Sequence, residues 1–524
     1  MADPIPDAAR AAWRWLEGPG GPPRYALSRT VFLRCFGFIY VIAFGSLLGQ
    51  LLPLLGHDGL LPIDIAMRRG HAALGASGLY EAPTLFWLLG SSDTVLWWTC
   101  LLGLALAVVV MLGRANAVIM AALWALYLSF VTVGQQWFAF GWESQLCEMG
   151  FLAIFLAPPW SLRPIPAGDP PPAPVFWLYR WLLFRIMLGA GLIKLRGDPC
   201  WVHLTCLDTF YETQPVPNPI AWYLDHAPHG FLAAGVLVNH FVEIVAPFMV
   251  FGPRRVRHTG GAIQIAFQAM LVVGGNLSFL NWMTAVNALA CFDDTLWERV
   301  LPKRMVRRAM SVRGDGKWGA LSLPRRVFGG GLLAVIGALS IPVVVNLISP
   351  EQVMNTSFEP FRLVNSYGAF GSVGKQRLEI VIEGTLDDPD DPHAAWREYP
   401  FRCIPGDPDR RPCFLSPWHY RLDWLAWFAG FQDLDQHPWL VHLVYQLLTG
   451  NPRIRTLLAP DPFDGEAPRS VRIERYRYAF SAPGSDAWWT RERVGPYLQP
   501  LTLQDPRWKT VLERSGWPAE VPNR

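Results

Sequence analysis

Residues 179–243 read YRWLLFRIMLGAGLIKLRGDPCWVHLTCLDTFYETQPVPNPIAWYLDHAPHGFLAAGVLVNHFVE, a polar loop between two apolar stretches. Each apolar stretch has about the length needed to cross a bilayer, roughly 20 residues. The loop is rich in proline, cysteine and aromatic side chains. Ionisable residues inside membrane spans cost about 2.5–3.5 kcal/mol each, so those in both stretches are candidates for a function. The stretch therefore indicates a membrane protein with a structured loop on one side.

The ionisable and amide side chains in the apolar segments predict a polar cluster inside the membrane. We expect Arg185 and Glu243 to form an ion pair, because pairing would let both stay charged at low cost. His240 is three residues from Glu243 and shares its helix face. The predicted cluster comprises Arg185, His240, Glu243, Glu148, Gln264 and Gln268. Such a set either staples a helical bundle or lines a cavity, and the sequence leaves both open.

Apolar runs continue through the first two-thirds of the chain and predict about nine spans. They are 30–52, 94–112, 115–133, 143–158, 175–195, 229–251, 258–275, 277–292 and 327–348. With a cytoplasmic N-terminus, every strong basic cluster falls on the cytoplasmic side, as the positive-inside rule requires. This predicts a cytoplasmic segment 1–28 and a helical transmembrane domain 29–349. That domain would include an exported loop 196–228 and a basic cytoplasmic loop 293–326.

Residues 350–524 have the composition of a soluble domain, and the distribution of basic clusters predicts that it lies on the exported side. The alternating stretches 376–385 and 470–480 predict strands, and 437–449 predicts a short helix. About 170 residues can bury a core of their own. The predicted fold is an α-helical polytopic membrane protein followed by a soluble α+β domain, which we expect to be β-rich.

Composition and motifs exclude several classes of protein. The formal net charge is only +3, so no nucleic-acid partner is expected. The chain lacks the GxSxG, Rossmann, Walker and HExxH motifs. No pair of exported cysteines has the CxxC spacing of a metal site. The sequence thus predicts no cofactor and no metal.

Four of the eight cysteines lie on the predicted exported side, namely Cys200, Cys206, Cys403 and Cys413. An even number in an oxidising compartment predicts disulfides. Bridges Cys200–Cys206 and Cys403–Cys413 would close short loops, whereas cross-pairing would tie the loop to the C-terminal domain. The sequence permits both, and a redox-active thiol pair is a further alternative.

Several strings resemble the lipase maturation factors. They are LRGDPCW at 195–201, YETQPVPNP at 211–219, YGAFGSVG at 367–374, RCIPGDPDRRPC at 402–413, YRLDWLAWFAG at 420–430 and RIERYRYAF at 472–480. The resemblance implies a polytopic membrane chaperone that assists the folding and assembly of exported lipases. Its expected partners are lipase clients and membrane lipids. Known members occupy the endoplasmic reticulum, whereas a bacterial homologue, compatible with the alanine, arginine and proline usage, would occupy the inner membrane.

The string GLIKL at 191–195 is also similar to a glycine–lysine segment at the active site of vitamin-K-dependent carboxylases. This second resemblance implies an alternative, a membrane enzyme that uses Lys194 as a base on a lipid-like or protein substrate. Lysine near a helix end ordinarily extends to the membrane interface. Because no complete catalytic constellation accompanies Lys194, the sequence favours a non-enzymatic function.

The loop 196–228 is much longer than the usual connection of about 4–6 residues. Its prolines restrict the backbone, so it would present aromatic side chains on a stiff frame. The predicted client-binding residues are Trp201, Tyr211, Glu212, Trp222 and Tyr223. Alternatively, the aromatic residues form an interfacial belt, or the loop packs under the C-terminal domain.

Overall fold

The structure, a computed structural model, describes residues 15–17, 23–166, 169–310 and 323–517. Most of the predicted segment 1–28 and the middle of the predicted basic loop 293–326 lie outside these ranges. The last residues of the predicted C-terminal domain, 518–524, lie outside them as well.

The main helices of the membrane domain lie where the apolar runs predict them. In chain order they are α1 (Ala26–Leu48), α2 (Asp93–Met111), α3 (Ala117–Val133), α4 (Gly141–Leu156), α5 (Ala173–Arg196), α6 (His229–Met249), α7 (Arg254–Gly274), α8 (Leu280–Ala288) and α9 (Leu323–Ile348). Among the described residues, five helices, namely α1, α2, α5, α6 and α9, are long and apolar enough to cross a membrane. The predicted helical membrane domain is therefore confirmed.

The predicted span 277–292 is not a full-length helix. Its helix α8 has 9 residues, which rise only about 14 Å, roughly half of the hydrocarbon core. Ahead of α8, Ser278 has a φ of 54° and Asn276 bonds the carbonyl of Cys413 at 2.7 Å. The chain there is a loop that contacts the C-terminal domain, because its polar side chains have partners outside the helix.

Short helices fill the connections between the main ones. They are Leu51–Leu55, Ile63–Leu74, Gly78–Glu81, Phe86–Leu89, Leu207–Thr213, Pro219–Asp225, Asp294–Val300 and Lys303–Met310. In the first connection Leu79, Tyr80 and Leu88 are exposed. Exposed apolar side chains beside a membrane domain are typical of a segment that lies at the membrane interface.

The C-terminal domain contains a four-stranded antiparallel sheet with the order β2-β1-β3-β4. Its strands are β1 (Arg377–Thr385), β2 (Arg397–Tyr399), β3 (Ser470–Phe480) and β4 (Trp489–Leu501). Its helices are α10 (Arg421–Phe431), α11 (Pro438–Leu448), Pro452–Arg455 and α12 (Arg507–Ser515). The α+β prediction is correct. Strands and helices take similar shares of the domain, and the long connection from β2 to β3 contains helices α10 and α11.

The C-terminal domain packs on one end of the helical bundle and shares its hydrophobic core. The contacts are Gln50 Nε2 to His419 O (2.7 Å), Arg421 NH1 to Trp137 O (2.6 Å), Trp427 Nε1 to Thr213 O (3.0 Å) and Asn276 Nδ2 to Cys413 O (2.7 Å). These membrane-domain residues follow α1, α3, α5 and α7. Alternate helix ends therefore meet the C-terminal domain.

The opposite ends of the helices are held together by a separate set of polar contacts. They include Arg24 to Glu298 (2.6 Å), Ala26 N to Asp294 Oδ2 (2.9 Å), Arg29 to Asp169 (3.2 Å) and Arg254 to Asp293 (2.7 Å). Asp294 accepts bonds from the first backbone N–H groups of α1, where a helix N-terminus favours negative charge. Hydrogen bonds from Arg254, Thr295 and His258 lower the pKa of Asp293 although burial opposes this shift.

Candidate functional site

Helix α5 is the element on which the predicted polar residues meet their partners. Two of its glycines allow close packing. A Cβ on Gly191 would lie 2.7 Å from Ile244 Cγ1 of α6, and one on Gly189 would collide with the carbonyl oxygen of Tyr367. The small residues therefore let α6 and the segment around residue 367 contact the backbone of α5. This packing explains Gly191, the one glycine of the string GLIKL, and Gly189 just before the string.

Lys194 forms a buried cluster with α6. Its Nζ donates to Glu243 Oε1 (2.5 Å) and Asn239 Oδ1 (3.3 Å), and Asn239 Nδ2 donates to Glu243 Oε2 (2.9 Å). The ammonium also lies 5.0 Å from the ring centroid of Trp201. Glu243 occupies a π-helical turn, Phe241–Val245, a feature that often occurs at functional sites.

The predicted ion pair between Arg185 and Glu243 is wrong. Glu243 pairs with Lys194 instead, and Arg185 lies about 13 Å from Lys194 along α5. Its guanidinium pairs with Glu148 of α4 and donates to Asn365 O (2.7 Å). Glu148 Oε2 also accepts from the backbone N (3.1 Å) and side-chain Nδ2 (3.1 Å) of Asn365 and from Tyr367 Oη (2.8 Å). Both oxygens of the Glu148 carboxylate therefore have hydrogen-bond partners. Through Asn365 and Tyr367, the segment that follows α9 is held against α4, about 10 Å from the start of that helix.

A third cluster joins α4 to α10. Arg421 donates to Glu143 Oε1 (2.6 Å), and the same carboxylate accepts from Trp142 Nε1 (3.2 Å) and from Tyr127 Oη. All these groups are buried. Sequence reasoning missed this pair because its members are 278 positions apart; the one signal was Arg421 within the string YRLDWLAWFAG.

The other members of the predicted cluster hold neighbouring helices. Gln264 donates to Val242 O (2.9 Å), and Gln268 accepts from Asn281 Nδ2 (2.8 Å). His240 Nε2 lies 3.0 Å from the carbonyl oxygen of Trp201, so it faces the loop. The structure thus resolves the predicted single cluster into separate ones that pin helices together.

Most predicted client-binding residues contact the protein itself. Trp201 is 2% exposed and donates to Phe370 O (2.9 Å). Trp222 donates to Ser481 O (3.1 Å), while Tyr223 is 63% exposed. The predicted exposure of Trp201 is wrong. Its indole packs in an apolar cluster and donates its N–H to the carbonyl oxygen of Phe370, so the side chain is stable when buried. The loop packs under the C-terminal domain, the alternative left open by the sequence.

One carboxyl group of the loop, that of Glu212, lies at this contact, and that of Asp225 lies near Glu212. Glu212 Oε2 accepts from the backbone N of Phe480 (2.9 Å), and half-buried Tyr211 packs against the apolar cluster that includes Phe480. Burial raises the pKa of Glu212. Burial, with the neighbouring charge of Glu212, raises the pKa of Asp225 to about 7. The contact between loop and C-terminal domain therefore contains a titratable group.

Disulfides join Cys200 to Cys206 and Cys403 to Cys413. The local pairing is present, not the cross-pairing. Beneath the second bridge, buried Asp423 accepts from the backbone N of Cys403 (2.5 Å), and burial raises its pKa to about 6. The described ranges contain no group of three or more His, Cys, Asp or Glu residues placed to hold a metal ion.

Comparison with known proteins identifies the family. A family model described as the lipase maturation factor transmembrane domain matches residues 27–299, and one described as the lipase maturation factor C-terminal domain matches residues 363–499. Lipase maturation factor 1 of Mus musculus is 46% identical over 520 residues, covering 95% of this chain and 90% of the mouse protein. The chain belongs to the lipase maturation factor family.

Two further relatives show the breadth of the lipase maturation factor family. Lipase maturation factor 1 of Homo sapiens is 45% identical over 553 residues, covering 99% of this chain and 96% of the human protein. Lipase maturation factor 2 of Rattus norvegicus is 31% identical over 613 residues, covering 95% and 86%. No solved structure matches the chain. Family membership and the apolar helices establish an integral membrane protein, and the resemblance carried by the six strings is confirmed.

Proposed function

We propose that this chain is a membrane-bound maturation factor that assists the folding and assembly of exported lipases. The observation that carries the proposal is the 46% identity to mouse Lipase maturation factor 1 over nearly the whole of both chains. Lipases are therefore its expected clients.

The buried clusters support a function without catalysis at Lys194. The Lys194 ammonium is held by Glu243 and Asn239, and its side chain is 5% exposed. Arg185 and Glu148 are paired in the same way. Buried ion pairs of this kind hold helices in a fixed arrangement. In the described part of the chain, the contacts of the Lys194 ammonium are with neighbouring protein groups and indicate no position for a substrate.

We propose that the C-terminal domain and the loop 196–228 lie on the exported side. Two observations support this arrangement: alternate helix ends meet the C-terminal domain, and the opposite end carries the basic residues that the positive-inside rule keeps in the cytoplasm. The corresponding compartment is the endoplasmic reticulum in a eukaryotic host, or the exterior of the inner membrane in a bacterial one. The domain limits would be 1–28, 29–349 and 350–524. Within the last of these, Asn365 and Tyr367 contact the bundle at Glu148.

The client surface would combine the loop with the sheet that covers it. Tyr223 is exposed beside Trp222, with ring centroids 5.0 Å apart, and Trp222 contacts Trp488 of the C-terminal domain at 6.1 Å. Exposed aromatic groups suit recognition of incompletely folded polypeptides.

Complementation tests this proposal. Cells lacking endogenous Lipase maturation factor 1 would express this chain together with a secreted lipase, and lipase activity per unit of secreted lipase protein would be measured. We expect activity well above the empty-vector control. Mouse Lipase maturation factor 1 is the positive control. Background activity with this chain, at an expression level where the mouse protein restores activity, would contradict the proposal.

A further inference from the structure

A small pocket on the C-terminal domain is lined by three arginines and a disulfide. Arg402, Arg410 and Arg411 surround the Cys403–Cys413 bridge, with Trp489 at the base, in a cavity of about 40 Å³. Arg402 and Arg411 are exposed and Arg410 is half-buried. We name this cavity the arginine pocket. Its size admits one small group, about that of a carboxylate.

The positive charge of the arginine pocket has no ion-pair partner among the described residues. Arg402 donates to Thr456 O (2.5 Å), and Arg410 donates to Phe401 O (2.8 Å) and to Ile404 O. The buried carboxyl of Asp423 attracts Arg410 and Arg402 at longer range, and Asp407 and Asp409 belong to the same loop. No carboxylate oxygen in the described ranges, however, lies within 4.0 Å of the three guanidinium groups. A guanidinium has five N–H donors, so each arginine retains donors beyond these bonds.

The remaining donors favour a carboxylate over a phosphate. Phosphate sites commonly rely on clustered backbone N–H groups. Here the backbone N–H groups of Cys403 and Ile404 are already taken by Asp423 Oδ1, at 2.5 and 3.2 Å. Guanidinium pairs with carboxylate and phosphate alike. The preference for a planar, two-oxygen carboxylate therefore rests on the lack of free backbone N–H groups and on the small size of the cavity.

The arginine pocket continues into an aromatic strip, which we define as Trp488, Trp222 and Tyr223. The guanidinium of Arg411 lies 5.8 Å from the ring centroid of Trp488. Trp488 and Trp222 are 6.1 Å apart, and Trp222 and Tyr223 are 5.0 Å apart. Arginine beside tyrosine and tryptophan is the composition of energetically dominant patches in protein interfaces. The geometry points to a polypeptide that places an acidic side chain in the arginine pocket and apolar side chains along the strip.

We infer that the arginine pocket binds an Asp or Glu side chain of an exported polypeptide, which on the proposed function is the lipase client. The inference rests on the proposed function only for the identity of that polypeptide.

Binding of a labelled hexaglutamate peptide to the full chain in lipid nanodiscs tests the site, with fluorescence anisotropy as the readout. We expect saturable binding that Arg411→Gln weakens about tenfold, the effect of losing one charge-assisted contact. Arg411→Lys should retain part of the affinity. The matched control is Arg469→Gln, since Arg469 is an exposed arginine of the same domain that pairs with Asp388 at 2.6 Å. Hexaglutamine should not bind.

Several outcomes would overturn the inference. Equal affinity in wild type and Arg411→Gln removes the site, and equal weakening by Arg469→Gln shows only general attraction to positive charge. If inorganic phosphate binds the wild type but not Arg411→Gln, and binds more tightly than hexaglutamate, the pocket is a phosphate site. If Arg411→Gln does not fold, Trp488→Ala provides the same comparison from the aromatic side.

The lipase assay separates this inference from the proposed function. Arg411→Gln is expected to lower lipase maturation while Arg469→Gln does not. Lost peptide binding with intact maturation would overturn the client assignment of the pocket and leave the proposed function standing. A wild-type chain that binds hexaglutamate but matures no lipase would overturn the proposed function instead.

Discussion

Arg185 and Lys194 lie on one helix yet have different acids as partners, Glu148 and Glu243. A buried acid and a buried cation are tolerated only as a pair. If one is removed, the other remains a buried charge whose desolvation cost is no longer offset. Each pair is thus a point where one substitution has a large effect on stability.

The Glu148→Gln variant should be strongly destabilised. It would leave Arg185 buried, at 2% exposure, without its carboxylate, which costs about 3–5 kcal/mol in the free energy of unfolding. Denaturant unfolding in mixed micelles measures the change. The control is Glu351→Gln at an exposed position. If Glu148→Gln had the same free energy of unfolding as the control, the interpretation that this cluster holds the helices together would be contradicted.

The pair Lys194 and Glu243 allows packing to be distinguished from catalysis. Lys194→Met alone should cost about 3–5 kcal/mol, because Glu243 loses its cation. The double variant Lys194→Met with Glu243→Leu should recover most of that loss, since neither charge remains. If Lys194 acted as a base, the double variant would fold but fail to mature lipase in the complementation assay; a packing role predicts that stability and maturation recover together.

At the scale of single elements, local patterns predicted well. Strands 377–385 and 470–480 alternate in the sequence and form at those positions. Patterns failed where a partner comes from far along the chain. Asn276 bonds a residue 137 positions away, which turns part of a predicted span into a loop. Trp201 bonds Phe370 O, 169 positions away, so an aromatic residue predicted to face a client is buried.

The loop–domain contact should make stability depend on pH through Asp225. Its pKa is about 7 in the folded chain, above the 3.8 of an ordinary aspartate. Well below pH 3.8 both states are protonated, so Asp225 has no effect. As pH rises toward 7 the unfolded chain ionises first, so stability falls, and the loss is complete above pH 7.

Asp225→Asn should remove this loss. At pH 8 we expect the variant to be more stable than the wild type by about 1–2 kcal/mol, after discounting for solvent screening. At pH 3, where Asp225 is protonated in both states, the two should agree. Denaturant unfolding at both pH values measures the difference, with exposed Asp390→Asn as the control. A wild-type advantage at pH 8 would contradict the prediction.

The disulfides should fix the loop and the pocket wall on the oxidising side. Non-reducing peptide mapping of fresh membranes should recover bridges Cys200–Cys206 and Cys403–Cys413. In the chain-entropy account, each closes a short loop and contributes about 2–3 kcal/mol at most. Four free thiols would contradict both the bridges and the exported location.

At the scale of the whole molecule, the sequence predicted two domains but not how they join. The polar clusters that join them pair residues 217 to 278 positions apart. Hydrophobic periodicity and motif spacing are local patterns, so they do not predict contacts between residues that far apart in the sequence. Glu148 with Asn365 and Glu143 with Arg421 insert parts of the C-terminal region into the bundle, so the soluble domain and the helices share a core. The two domains are therefore expected to unfold together.

This shared core makes the membrane topology a testable property of the fold. The C-terminal domain contacts Gln50, Trp137, Thr213 and Asn276, which follow α1, α3, α5 and α7. Those positions can share a side of the membrane only if the helices between them cross in alternation. Glycosylation acceptor sites inserted after Asp208 and after Pro400 should therefore be modified in a eukaryotic host, and a site after Arg257 should not. Two results would contradict this topology: glycosylation of the site after Arg257, or glycosylation after Asp208 without glycosylation after Pro400. Either result would require a number of membrane crossings that places the C-terminal domain away from the helix ends it contacts.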